Sequence, residues 1–261
     1  MSSHLGDNGL SSKEICYRCG APLPVSVTAC PNCGAPAPQG MSSPSARPAT
    51  PFRVALRIVR ADGGPEVLVA MHGEQLVCGR RGDVQLADDP FVAELQARFF
   101  LTSGRLAVED VGGGNGVFVR IRAEREVSAE GELRVGRQRL RVEALGPVEH
   151  GPGGAIMWGS LDPGIRFRVV QILEGGLLAA AFPLKEGDNS VGREHGDVTF
   201  PADGFVSGRH AILHVTSDRL TVRDLGSSNG TFLRLSGPTF VDDGDQFLVG
   251  RQLIRVDVKP A

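Results

Sequence analysis

Four of the five cysteines fall within eighteen residues, as Cys16-x-x-Cys19 and Cys30-x-x-Cys33, and each pair is followed at once by a glycine, Gly20 and Gly34. Two such knuckles can deliver four thiolates to one tetrahedral Zn2+, and four cysteine ligands leave no open coordination position for catalysis. A structural zinc site on Cys16, Cys19, Cys30 and Cys33 is therefore predicted. The segment between the pairs, Ala21–Ala29, is too short for a hydrophobic core, so metal binding must supply most of its folding free energy. A second group of chemically capable residues lies far downstream: Arg193, Ser207, His210, Ser228 and Asn229. Ser207 and His210 stand three apart, but no motif places an acid beside them and no nucleophile elbow surrounds the serine. Gly112–Gly116 is glycine-rich, yet it lacks the lysine and following helix of a phosphate loop. His210 and His214 can share a strand face, which alone is poor evidence for a metal. No enzymatic activity is expected from these residues.

The elements that must position the second group are written twice in the chain. Gly192-Arg193, Phe205-Val206-Ser207-Gly208-Arg209-His210 and Asp224-Leu225-Gly226-Ser227-Ser228-Asn229-Gly230-Thr231-Phe232 have counterparts upstream. These are Gly79-Arg80, Phe91-Val92-Ala93-Glu94-Leu95-Gln96 and Asp110-Val111-Gly112-Gly113-Gly114-Asn115-Gly116-Val117-Phe118. The offset is 113 residues from Arg80 to Arg193 and 114 from Asn115 to Asn229, too long for a solenoid and right for a duplicated domain. The tails agree as well, Val135-Gly136-Arg137-Gln138 against Val249-Gly250-Arg251-Gln252. Inside each repeat the apolar residues alternate in short runs, as in Ala211-Ile212-Leu213-His214-Val215, with turn residues between them and no helical period. That pattern predicts an all-β fold, one sandwich per repeat, with function on loops gathered at one end.

Gly192-Arg193, Ser207-x-x-His210 and Ser228-Asn229-Gly230-Thr231, in this order and spacing, resemble a forkhead-associated (FHA) domain. The resemblance covers 165–259 and, in weakened form, 52–145. It implies two FHA-type β-sandwiches in tandem whose apical loops bind phosphothreonine peptides. By resemblance, Arg193 and Ser207 hold the phosphate, Ser228 supports the phosphothreonine site and Asn229 bonds the peptide backbone. His210 braces the loops from within, while Gly230 and Thr231 complete the turn that carries Asn229. Gly208 departs from the family, which more often has Arg or Asn after the serine; here only a main-chain N–H remains. A phosphate offers close to two negative charges and three acceptor oxygens, which suits a guanidinium fork completed by a hydroxyl.

The first copy keeps Arg80, Asn115 and Gly116 but has Ala93, Gln96, Gly114 and Val117 where the second has Ser207, His210, Ser228 and Thr231. It is expected to lose two hydroxyls and the internal brace of its loops, and to act as a degenerate, protein-docking domain.

The cysteine-rich segment resembles the short zinc ribbons at the front of many bacterial proteins. The predicted organisation is a disordered 1–14, a zinc ribbon at 15–36, and a Pro/Ala/Ser-rich linker at 37–51 that reaches on the order of 20 Å. The degenerate FHA domain at 52–145, a linker at 146–164 and the FHA domain at 165–259 follow. Trp158 is expected to pack on a domain flank, Leu177–Phe182 to form a buried strand and Cys78 to sit in a core. A formal charge of -2 opposes a broad nucleic-acid-binding face. No apolar run approaches the roughly 18 residues of a membrane span, and no secretory signal is recognisable, so a cytoplasmic protein is expected. The predicted function is a phosphothreonine-dependent adaptor in Ser/Thr kinase signalling, with threonine-phosphorylated kinase substrates as partners. The alternative is a phosphate-independent structural or interaction module of a larger bacterial assembly.

Overall fold

The structure is a computed structural model describing residues 14–15, 22–23, 52–59, 64–146, 150–161 and 163–260. It divides into two compact units, 1–49 and 50–261. In the first, β1 (Glu14–Ile15) pairs antiparallel with β2 (Pro22–Leu23). Cys16, Cys19, Cys30 and Cys33 lie outside the described residues, as do 1–13 and the 37–51 linker.

In the second unit, the first repeat forms β3 (Phe52–Val59), β4 (Val67–Ala70), β5 (Gln75–Gly79), β6 (Val84–Gln85) and β7 (Ala97–Thr102). It continues with β8 (Arg105–Asp110), β9 (Val117–Arg120), β10 (Arg125–Glu126), β11 (Glu132–Val135) and β12 (Gln138–Ala144). The second repeat follows the same order with β13 (Phe167–Ile172), β14 (Leu178–Leu184), β15 (Gly187–Gly192), β16 (Val198–Thr199) and β17 (Ala211–Val215). It ends with β18 (Leu220–Asp224), β19 (Thr231–Arg234), β20 (Thr239–Phe240), β21 (Gln246–Val249) and β22 (Gln252–Pro260). The alternation read from sequence sets the faces. In β17, Ala211, Leu213 and Val215 are buried while Ile212 and His214 between them are only partly so. The all-β expectation holds.

The two sandwiches are not each built from one repeat. Strands β3 to β9 begin the first sandwich, but the strands that close it come from the second repeat. Strand β22 pairs with β3 from Phe52↔Pro260 to Val59↔Leu253. Strand β21 pairs with β9, and β20 with β8. Reciprocally, β11 of the first repeat pairs with β19 of the second, and β10 with β18. Strands β9 and β19 pair with each other where the chains cross. The result is one ten-stranded sheet, ordered β14-β13-β12-β11-β19-β9-β21-β22-β3-β4, faced by two five-stranded sheets. The boundaries 52–145 and 165–259 thus delimit repeats of sequence, while each sandwich draws on both.

The cores follow the exchange. One gathers Leu56, Cys78 and Phe99 with Phe247, Val249, Ile254 and Val256; the other gathers Leu133, Val135, Leu140 and Val142 with Val191, Leu213 and Val222. Phe99 and Phe247, one from each repeat, meet edge-to-face with centroids 5.5 Å apart. Cys78 is fully buried, and that burial pushes its thiol well above its ordinary value. The similar tails dock through corresponding contacts in the two sandwiches. Asp89 accepts the Arg251 N–H at 2.6 Å and Asp203 accepts the Arg137 N–H at 2.8 Å. Gly250 (φ +60°) is required at its turn twice over: its conformation is left-handed, and a Cβ there would come within 2.5 Å of Val92 Cγ2.

Two expectations need correction. Leu177–Phe182 is not a buried strand: β14 lies at an edge of the large sheet, and Leu178–Ala181 are exposed. Trp158 does not pack on a flank; it is 99% exposed, in a glycine-rich loop closed by a Gly151 N–H to Ala155 carbonyl bond that offers it no apolar neighbour wall. Among the described residues no helix is long and apolar enough to cross a membrane.

Candidate functional site

Three loops of the second repeat meet at one end of its sandwich. They follow β15, precede β17 and join β18 to β19. Gly192 brings the first two together, since a Cβ on it would lie 2.2 Å from the Gly208 carbonyl oxygen. With that close approach allowed, the Arg193 N–H donates to the Ser207 carbonyl at 3.0 Å. The third loop is tied to the second through the Ser228 N–H, which donates to Ser207 Oγ at 3.2 Å. Asn229 Nδ2 donates to the Phe205 carbonyl at 2.8 Å. Arg193, Ser207, Ser228 and Asn229 are thus gathered at one apex.

Beneath them lies a buried polar frame. His210 is fully buried; its Nδ1 accepts the Ser207 N–H at 3.1 Å and its Nε2 faces the Gly230 carbonyl at 3.1 Å. Those partners require a neutral ring protonated on Nε2. Burial agrees, pushing the imidazole below its ordinary value against the opposing pull of the Gly230 carbonyl and Asp224. Asp224 organises the third loop. Its Oδ2 accepts Ser227 Oγ and Thr231 Oγ1, each at 2.7 Å, and its Oδ1 accepts the N–H groups of Gly226 and Ser227. Burial alone would raise this carboxyl, but the hydrogen bonds from Thr231 and Ser227 outweigh it and hold the group below its usual range. Gly230 (φ +82°) turns the chain over Arg120 of the first repeat; a Cβ there would sit 2.4 Å from Arg120 Nε.

What remains outward is a small, chemically coherent set. Arg193 keeps 39% of its side chain exposed, and among the described residues its guanidinium pairs with Glu194 alone, at 3.2 Å. Ser228 and Asn229 are exposed, Ser207 is half-buried, and open space surrounds Gly208. A guanidinium, hydroxyls and an amide gathered at one apex are the groups that can surround an anionic ester. The same geometry argues against serine catalysis. Both ring nitrogens of His210 are committed to backbone groups, and neither addresses Ser207 Oγ. His214 pairs instead with Asp188, 2.6 Å away. Asp224 and Ser227 are frame residues that the motif order alone does not mark. Asp followed by Ser three residues later is the signal for such a side-chain-capped turn.

The first repeat reproduces the frame. Arg80 N–H donates to the Ala93 carbonyl and Asn115 Nδ2 to the Phe91 carbonyl, both at 2.9 Å. The expected loss of the internal brace is corrected: Gln96, 1% exposed, replaces the histidine. Its Oε1 accepts the Ala93 N–H at 3.1 Å, and its Nε2 donates to Asp110 at 2.8 Å. The carboxamide offers the same acceptor-plus-donor pair as a neutral imidazole. The hydroxyls are absent, however, and Arg139 covers the loop, reaching Asn115 Oδ1 at 3.3 Å and the Gly114 carbonyl at 3.2 Å.

A family model for the FHA domain matches residues 189–250. The FHA domain-containing protein FhaB of Mycobacterium tuberculosis is 36% identical over 66 residues, covering 25% of this chain. The chain spans 43% of that relative's length. Among solved structures, the FHA domain of CT664 from Chlamydia trachomatis aligns with a TM-score of 0.32 and 9% identity, over 78% of this chain and 96% of that one. Mycobacterium tuberculosis EmbR in complex with a low-affinity phosphopeptide aligns with a TM-score of 0.19 and 21% identity, over 34% of this chain and 27% of that one. An FHA domain is thus detected in residues 189–250.

Proposed function

We propose that the apex of the second repeat binds phosphothreonine peptides and that the protein is a phosphothreonine-dependent adaptor rather than an enzyme. The observation carrying this reading is the solvent-accessible cluster of Arg193, Ser207, Ser228 and Asn229 over a hydrogen-bonded buried frame. Arg193 presents a planar fork to the phosphate, and the Ser207 hydroxyl and Gly208 N–H complete the cage. Ser228 supports it, and the Asn229 amide bonds the peptide backbone. The partners are threonine-phosphorylated proteins, substrates of a Ser/Thr protein kinase. Calorimetry of the full chain against a degenerate phosphothreonine library and its unphosphorylated twin tests the reading. Binding only with phosphate supports it, and equal affinity without phosphate overturns it.

Cys16, Cys19, Cys30 and Cys33 form a structural zinc site in this reading, supported by their types and spacing alone. Elemental analysis of reduced, chelator-free protein should give one zinc per chain; less than about half an equivalent would rule this out.

A further inference from the structure

We propose that the phosphopeptide site of the second repeat is completed by the first repeat, whose Arg137 selects an acidic residue flanking the phosphothreonine. This rests on the phosphothreonine reading above. The turn Val135-Gly136-Arg137-Gln138 belongs to the first repeat in sequence but docks on the second in space. Gly136 (φ +58°) lies so close to Val206 that a Cβ would meet its Cγ2 at 2.8 Å. Asp203 Oδ2 accepts both the Arg137 N–H, at 2.8 Å, and Gln138 Nε2, at 2.7 Å. Asp203 Oδ1 takes the Phe205 N–H at 2.9 Å. The exchanged turn is therefore clamped to the loop that ends in Ser207.

From that clamp the Arg137 guanidinium stacks 4.2 Å from the centroid of Phe205. Phe205 is the residue whose carbonyl holds Asn229. Arg137, Phe205 and Asn229 thus form one continuous surface beside the phosphate site. A stacked guanidinium is pre-organised, and its edge remains able to bond a carboxylate in bidentate fashion. The pseudo-equivalent position shows what is special here. Arg251 stacks in the same way on Phe91, at 4.3 Å, but it is paired with Glu174 at 3.6 Å. The Arg137 side chain is exposed, and among the described residues its guanidinium makes no ion pair. The uncompensated charge stands beside the apex that keeps its hydroxyls, and the compensated one beside the apex that lost them.

Phe205 is two residues from Ser207, roughly 7 Å along an extended chain. An Asp or Glu about two to four positions from the phosphothreonine can therefore reach Arg137. Beyond it the surface continues as a shallow groove of ≈ 400 Å³ floored by Phe182, Phe200 and Pro201, which gives the flanking peptide a place to lie.

The test is a positional scan on the full chain. Phosphothreonine peptides carry Asp, Ala or Lys at each of the four positions on either side, and affinities are read by fluorescence anisotropy. One position is expected where Asp improves affinity over Ala by about three- to tenfold, the range of an added charge-assisted contact at a half-exposed site. Arg137→Gln should bring that ratio to about one, and Arg137→Glu should invert it in favour of Lys. The turn is held through the Arg137 backbone N–H, so Arg137→Gln keeps the clamp if the charge reversal fails to fold. Phosphate-dependent binding with no acidic preference anywhere, or a preference that survives Arg137→Gln, overturns this inference and leaves the phosphothreonine reading standing. Binding independent of phosphate overturns both.

Discussion

At each apex an asparagine amide reaches back to a phenylalanine carbonyl, Asn115 to Phe91 and Asn229 to Phe205, and an arginine N–H bonds the loop that precedes the next strand. Gln96 and His210 brace those loops through one accepted N–H each. These loop contacts are therefore shared between the two repeats even where the residue type changes, although the Ser227 and Thr231 hydroxyls that bond Asp224 have no counterpart at Gly113 and Val117. The outward donors are not shared. The second apex offers Ser207, Ser228 and a lightly engaged Arg193. The first offers Ala93 and Gly114, with Arg139 bound across Asn115. Arg139 is itself neutralised by Glu132 at 2.7 Å. A scaffold can be held by any group with the right donor and acceptor, whereas an anion site needs its own outward donors.

The largest expected effect comes from separating the repeats. Alone, 52–145 lacks β20, β21 and β22, the last two of which supply Phe247, Val249, Ile254 and Val256 to its core. Fragment 165–259 likewise lacks the Leu133, Val135, Leu140 and Val142 of its partner. Deleting even one buried Phe costs about 3–5 kcal/mol, a large share of the 5–15 kcal/mol that keeps a domain folded. Neither fragment should show the native cooperative unfolding alone, and mixing them should restore it in a 1:1 complex seen by light scattering. Two stable, non-associating monomers would show that each repeat closes on itself.

A smaller effect separates the apices chemically. Ser207→Ala should weaken phosphopeptide binding about tenfold, one lost charge-assisted hydrogen bond, while costing little stability, because the Ser228 N–H that loses its Oγ acceptor lies at the exposed apex, where water can replace it. A midpoint that drops with affinity would make Ser207 part of the frame instead.

The brace residues should differ in their response to pH. The folded-state value of His210 lies below its ordinary 6.5, so the unfolded chain binds the proton more readily. Its stability contribution is then complete above pH 6.5 and lost as pH falls from there through the folded value. Asp224, held below its usual range, loses its own contribution only at lower pH. His210→Gln, copying Gln96, should flatten the slope of denaturant stability just below pH 6.5; an unchanged slope would place the titration elsewhere. Smallest of all, Gly208→Asn should raise phosphopeptide affinity about two- to fivefold by adding one donor. Nothing lies within 4 Å of a Cβ built there. Weakened binding would mean that the peptide occupies that space.

The strands and the gathering of Arg193, Ser207, His210 and Asn229 at one end are legible because alternation fixes faces and motif order fixes loops. The exchange is not. A period of two says that Leu248 and Val249 point to opposite sides, not which β9 or β19 they lie beside. Val135-Gly136-Arg137-Gln138 and Val249-Gly250-Arg251-Gln252 are too alike to say where each docks. Gln96 was misjudged for a related reason, since its equivalence to His210 lies in the direction of its donor and acceptor and not in residue type. Leu177–Phe182 reads as core by composition, but its place at a sheet edge depends on strand order, which is a non-local property.

Of the two apices, the second alone is proposed to read phosphothreonine. Calorimetric titration of the full chain with a phosphothreonine peptide, alongside Arg193→Ala and Arg80→Ala, tests it directly. One phosphate-dependent site per chain is predicted, weakened about a hundredfold by Arg193→Ala through loss of a bidentate contact, and persisting in Arg80→Ala. Two equivalent sites per chain, or a single site that depends on Arg80 and not on Arg193, would contradict it.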